Sequence, residues 1–294
     1  MNFTNWFLQV WSKVTKNCKP KRFAIPKEYK LIHRDTFETI DKDYWVDYGE
    51  GFFITNDFME WWNNRDAMQV SDNTLMLDVE YKPKMWKVKD LWKYQRDELN
   101  YQDITENVPP MRIIGPFDQN VNVTYPNDVI ETPYLRARLD SKQGYKYGIF
   151  KVDTMLPKGK HLWSSFWLCG IETWPPEIDI FEEHTSKKTI EPNVHYGTKT
   201  DHKQCGATNV AMKNKSDKWH EVLTWWEKDF IKIYYDGRLV YKVTNKKVLK
   251  WFDKEMSVIL SSGTELWDPK NPDIEDKCTQ PLMFKNFEIW QKSV

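Results

Sequence analysis

The sequence predicts an all-β sandwich, and three observations carry that prediction. Short runs of alternating apolar and polar residues recur along the chain and are broken by turn residues. Helical periodicity is confined to one stretch. Asp236-Gly237 stands between two apolar runs, a pair that tolerates the positive φ angles of a tight hairpin turn. At 294 residues the chain is long enough for one large β domain or two ordinary ones.

Residues 1–30 read as an N-terminal arm. Its apolar stretch WFLQVW is too short and too interrupted for a signal-peptide core, and no small-residue cleavage site follows it. The compartment stays open, and no segment approaches a membrane span. The arm suits a short amphipathic helix or an attachment to a larger particle. Beyond it, TLMLDVEY alternates over residues 74–81 as a strand. KMWKVKDLWKYQRDEL, residues 84–99, sets Trp86, Val88, Leu91 and Trp92 roughly on one helical face. It lies in a segment, residues 83–132, with little alternation and many Pro, Asn and Asp residues, read as an insertion beside the sandwich. YGIFKVDTML alternates over 147–156 and stops at PKGK, a turn. HEVLTWWE and FIKIYYDGRLVYKV form an antiparallel ladder, and MSVILSSG and LMFKNFEIWQ supply two late strands.

Lys plus Arg and Asp plus Glu both number 43, so the formal net charge is zero and nothing suggests a long-range hold on nucleic acid or anionic membrane. The 16 Trp residues pack cores and also stack on flat ligand faces such as sugar rings. The cysteines, Cys18, Cys169, Cys205 and Cys278, lack metal-ligand spacing, so no metal or other cofactor is expected from them. Cys169, in FWLCG, reads as a buried thiol, and a pairing of Cys205 with Cys278 is left open.

The stretch WPPEIDIFEEHT, residues 174–185, crowds carboxylates onto one short strand. In a regular strand Glu177 and Asp179 share a face with Glu183, and Glu182 lies on the other. Glu177 and Glu183 would then stand roughly 20 Å apart, too far to work as a pair. A β-bulge at Ile180–Phe181 swings Glu182 onto the face of Glu177 and Asp179 and sets the Glu177–Glu182 span at about four pleat steps, roughly 13 Å of backbone. Leaning side chains close that gap to near the separation of about 5–5.5 Å used by retaining glycosidases. Glu177, Asp179 and Glu182 are thus the candidate working set, on condition of a bulge, and Glu183 is expected outward and solvated. Three carboxylates on one face raise at least one another's pKa, as an acid and a nucleophile require. A solvated acidic edge or a cation site fits the bare strand as well, although the Gly and Asn/Asp spacing of a calcium loop is absent.

With its flanks, YKYGIFKVDTMLPKGKHLWSSFWLCG and WPPEIDIFEEH, the motif resembles the central stretch of glycoside hydrolase family 16. FETIDKDYWVDY, NNRDAMQVSDNTLMLDVEY, RARLDSK, VHYGT, KWHEVLTWWEKDFIKIYYDGRLVYKV and MSVILSSGTELW follow the family's order. The resemblance covers residues 31–294 as a catalytic domain, less the insertion at 83–132. It implies a concanavalin-like β-jelly roll of two antiparallel sheets with an open concave cleft. The activity it implies is retaining hydrolysis of a β-glucan or β-galactan polysaccharide. Glu177 would be the nucleophile, Glu182 the acid/base, and Asp179 the group that tunes both. Trp163, Trp174 and Trp267 would be stacking platforms, His195 a hydrogen-bonding partner of a sugar, and Asn63 and Arg65 an Asn/Arg pair near the cleft. Trp167 is expected in the core. The chain departs from the family at Asn286, where an Asp helps hold a structural calcium, and at SSGTELW, which has one Gly on the approach to Trp267. Two other readings remain open at this point: a carbohydrate-binding jelly roll without turnover, and a virion-borne adhesion protein or depolymerase that docks through the arm.

Overall fold

The computed structural model describes residues 23–46, 50–54, 59–87, 129–185, 189–198, 200–207, 210, 212, 215–264 and 279–293. The elements run β1 (Tyr29–Asp35), β2 (Glu50–Ile54), β3 (Met59–Asn63), α1 (Asn64–Ala67), β4 (Met68–Ser71), β5 (Thr74–Leu77), β6 (Val79–Lys87), β7 (Val129–Arg136), β8 (Arg138–Asp140) and β9 (Gly148–Met155). They continue with β10 (Leu162–Gly170), β11 (Glu177–His184), β12 (Thr189–Thr198), β13 (Asp201–Gly206), β14 (His220–Glu227), β15 (Phe230–Tyr235), β16 (Arg238–Val243), α2 (Lys246–Leu249), β17 (Met256–Thr264) and β18 (Leu282–Lys292).

The alternating runs become strands because each buries one side. In β15 the pattern places Ile231, Ile233 and Tyr235 in the core and leaves Phe230, Lys232 and Tyr234 on the outer side. The Asp236-Gly237 turn takes φ of 50° and 75° and joins β15 to β16 as expected. An eight-stranded sheet orders as β16-β15-β14-β9-β18-β5-β4, with β1 also on β18. A six-stranded sheet orders as β13-β12-β11-β10-β17-β8. Between them lies one core in which Phe166 and Phe181 of the second sheet meet Phe150, Trp226, Phe284 and Phe287 of the first.

A further four-stranded sheet, β2-β3-β7-β6, continues the six-stranded one, because β7 and β8 are one run interrupted at Ala137. Ser262 of β17 donates its N–H to the Ala137 carbonyl at 3.0 Å across that junction. Its β3–β7 pair is parallel, a departure from purely antiparallel pairing.

The expected helix over 84–99 is not formed at its start, since Lys84–Lys87 belong to β6 and pair with Val129–Thr132 of β7. The register of a sheet edge overrides the helical period there. The rest of that stretch lies outside the described residues. Within the segment read as an insertion, strand pairing runs to Lys87 and resumes at Val129.

The sheet also reaches back into the N-terminal arm. Tyr29 and Lys30 already pair with Lys292 and Gln291. Phe23 packs on the outer face of the eight-stranded sheet, 5.7 Å from Trp225 and 4.7 Å from Tyr234 between ring centroids. Tyr29 accepts from the Trp225 indole at 2.7 Å and donates to Glu227.

Candidate active site

Strand β11 carries the bulge that the carboxylate spacing demands. On β12, Asp179 pairs with Asn193 and Glu182 with Glu191, so Ile180 and Phe181 together oppose Pro192. On β10, Phe181 pairs with Phe166 and Asp179 with Trp167, which leaves Ile180 as the extra residue. Ile178, Ile180 and Phe181 all point into the core. Glu177, Asp179 and Glu182 therefore emerge on the same outer face of the six-stranded sheet.

Glu183 does not behave as expected. It is fully buried and points inward, where Lys215 Nζ meets its Oε1 at 2.5 Å. The reason is the bulge itself. The extra residue turns Glu182 outward, and its successor must then turn in.

Neighbouring strands complete the face. Trp174, in the connection between β10 and β11, donates its indole N–H to Glu177 Oε2 at 2.9 Å. Trp163 of β10 donates to Glu182 Oε1 at 3.1 Å. His195 of β12 sets Nε2 3.2 Å from Asp179 Oδ2 and 3.5 Å from Glu177 Oε1. Behind it, His195 Nδ1 lies 2.8 Å from His202 Nε2 of β13, and the two rings stack at 5.0 Å. Trp174 covers His202 at 4.7 Å. The β12–β13 turn depends on Gly197, whose φ is 105° and where a Cβ would come within 2.2 Å of Asp201 O.

Burial shapes the electrostatics. Asp179 is 2% exposed, and the side chain of Glu177 is 14% exposed. Burial, then the charge of Asp179, pushes Glu177 up to about 8, against the pull of His195 and of the Trp174 N–H. Burial, then the charge of Glu177, pushes Glu182 up to about 7, against His195 and the Trp163 N–H. Asp179 is also raised well above the usual carboxyl range, by burial first and the charge of Glu182 second. Such a site takes up protons near neutrality, and its members titrate together.

The structure thus brings together Glu177, Asp179, Glu182, Trp163, Trp174 and His195. Arg65 stands exposed on α1. Of Asn63 only the backbone at the end of β3 is described, and Trp267 lies outside the described residues. Asn64 is the buried member of that segment, and its side chain clasps both the N–H and the carbonyl of Arg138.

Trp167, expected in the core, lies instead on the outer face. It is half-buried, pairs with Asp179 across β10 and β11, and donates to Ser261 Oγ at 3.1 Å. Arg138 lies over its ring at 5.0 Å and is held by two bonds to Asp140, at 2.6 and 2.7 Å. Neither Arg138 nor Asp140 was distinguishable from a surface pair by sequence. The period-two spacing of RARLD, read beside MSVILSSG as the adjacent strand, is the signal that bears on it.

Among the described residues, the cluster of His, Cys, Asp and Glu able to ligate an ion is Glu177, Asp179 and His195, whose atoms lie within 4.8 Å of one another. At the position of the family's calcium-holding Asp, Asn286 directs its amide N–H to Asp153 Oδ2 at 2.8 Å. In that orientation the amide turns its N–H, and not its carbonyl oxygen, toward Asp153. Cys169 is buried as expected, Cys205 is exposed, and Cys278 lies outside the described residues.

The family model described as Glycosyl hydrolases family 16 matches residues 58–278. Glucan endo-1,3-beta-glucosidase A1 of Niallia circulans is 25% identical over 230 residues, which cover 74% of this chain and 30% of that protein. A glucan endo-1,3-beta-glucosidase of Cryptopygus antarcticus is 28% identical over 167 residues, covering 48% of this chain and 61% of that protein. The chain therefore spans less than two thirds of either curated relative. LamAcat from Zobellia galactanivorans, a solved structure, matches with a TM-score of 0.62 at 19% identity, over 89% of this chain and 98% of that one. That likeness shows the fold.

Proposed function

The chain belongs to family 16 of the glycosyl hydrolases, and from that premise we propose that it cleaves internal β-glycosidic bonds of a glucan by double displacement. The observation that carries the proposal is the bulge at Ile180–Phe181, which sets Glu177, Asp179 and Glu182 on one face. The names of two relatives, both glucan endo-1,3-β-glucosidases, favour a β-1,3-linked glucan as substrate.

In this reading Glu177 attacks the anomeric carbon and Glu182 protonates the departing oxygen. Glu182 then takes a proton from water, which releases the sugar from Glu177 with net retention. The raised pKa of Glu182 suits an acid that must hold its proton near neutrality. Glu177 must be anionic to attack. A proton held on Asp179 serves that need, because it removes the neighbouring charge that opposes ionisation of Glu177. The Trp174 N–H stabilises the same anion. His195, against both Asp179 and Glu177, orients the pair. Trp163 and Trp174 therefore act through their N–H groups as well as through their ring faces.

Reducing-end release from a panel of β-glucans and β-galactans tests the proposal. Glu177→Ala should abolish release on the glucans that the wild type cuts. Undiminished cleavage, or binding without turnover by the wild type, would sink it. NMR of the first-formed anomer checks the stereochemistry, and inversion would remove Glu177 from the role of nucleophile.

A further inference from the structure

The bulge disturbs the ladder at the point where the site is built. Where β11 has Ile180 and Phe181, β12 has Pro192 alone, so the bulge interrupts the one-to-one pairing of the ladder. A buried carbonyl at such an interruption needs a donor. The Ile180 carbonyl finds its donor in the opposite sheet. Tyr235 of β15 crosses the core and donates its hydroxyl to Ile180 O at 2.7 Å. Tyr235 is 3% exposed and packed within the main core. Burial, with the charges of Asp179 and Glu182, raises its phenol well above the usual range, so it remains a donor.

We propose that Tyr235 is a positioning residue for the acid/base: its hydroxyl pins the bulge carbonyl and so sets the direction in which Glu182 leaves the strand. The inference rests on the reading of Glu182 as acid/base. It places part of the control of the active face in the sheet that carries none of the three carboxylates. The groups that face Glu182 directly are Glu177 and Asp179 on its own strand, His195 and Glu191 on β12, and Trp163 on β10. None of these is altered by a change at Tyr235.

A matched control is built into the fold. Tyr241 of β16 makes the same kind of bond across the sandwich, to the carbonyl of Cys205 in β13. The β12–β13 register there is unbroken. Tyr235→Phe and Tyr241→Phe each remove one hydroxyl, and only the first releases a bulge.

For Tyr235→Phe, kcat should fall by about ten- to a hundredfold with KM within about twofold, as a misaimed catalytic group requires. Its alkaline pH–rate limb should move to lower pH, as a loosened Glu182 gains water. Tyr241→Phe should keep both kcat and limb. A wild-type kcat in Tyr235→Phe, an unmoved limb, or the same losses in Tyr241→Phe would overturn the proposal. Titration of the Glu182 carboxyl by ¹³C NMR in the wild type and in Tyr235→Phe reads the same displacement without turnover. A wild type inactive on every glucan would therefore sink the function and leave this arm standing, and identical titrations would sink the positioning role alone. If Tyr235→Phe failed to fold, the wild type would still decide: its Tyr235 hydroxyl proton should be protected from exchange, and one exchanging as freely as an exposed phenol would refute the proposal.

Discussion

The indole N–H of Trp163 donates to Glu182 Oε1 at 3.1 Å. Trp163 thereby favours the ionised form of the group proposed as the acid, and holds its pKa below what burial alone would set. Trp163→Phe keeps an aromatic face and removes the donor. The alkaline limb of the pH–rate profile should move to higher pH, by up to about one unit. A limb unmoved while KM rises would instead mark Trp163 as a stacking platform only.

The wild-type limb has a position of its own. Burial and the charge of Glu177 push Glu182 up to about 7, so activity should fall as pH rises through that region. Glu182→Gln should lose about a hundredfold or more of kcat and the limb with it. Full activity through pH 9 would contradict the assignment.

The same burial carries a stability cost with a definite sign. The folded-state pKa of Glu177 lies near 8 against an ordinary value of 4.5, so folding favours its protonated form. Its contribution is fully present below 4.5 and is lost as pH rises through about 8. Glu177→Gln, which cannot ionise, should melt at a temperature close to wild type at pH 4 and several degrees higher at pH 8. Equal melting temperatures at both pH values would refute the linkage.

Glu183 and Lys215 form an ion pair whose carboxylate is sealed in the core, beneath the active face. Lys215→Met strands that charge and should cost about 3–5 kcal/mol by denaturant unfolding. The double variant Glu183→Met/Lys215→Met should recover most of the loss. A single variant within 1 kcal/mol of wild type, as an exposed pair would give, would contradict the burial.

Asn286 presents an amide N–H to Asp153 where the family's calcium site has a carboxylate. Melting curves with calcium and with a chelator should coincide. A calcium-dependent rise in melting temperature of more than about 2 °C, roughly 1 kcal/mol at this chain length, would show a site built from other residues.

The sequence by itself determined the strands, because period-two alternation reports which residues must be buried whatever they are buried against. HEVLTWWE became β14, and the run broken by Asp236-Gly237 became β15 and β16. It also made the working set conditional on a bulge in β11, since a regular strand cannot bring Glu177 and Glu182 to one face, and the bulge falls at Ile180–Phe181. Its error about Glu183 came from leaving the alternation uncorrected beyond the extra residue. Only the tertiary structure decided what surrounds the carboxylates. That Trp167 faces outward beside Asp179, that His202 backs His195, and that Tyr235 reaches Ile180 O from the other sheet are contacts between strands distant in the chain. Local pattern encodes which side of a strand a residue takes. The partner it meets there depends on strand order and register, which are set by the packing of the whole sandwich.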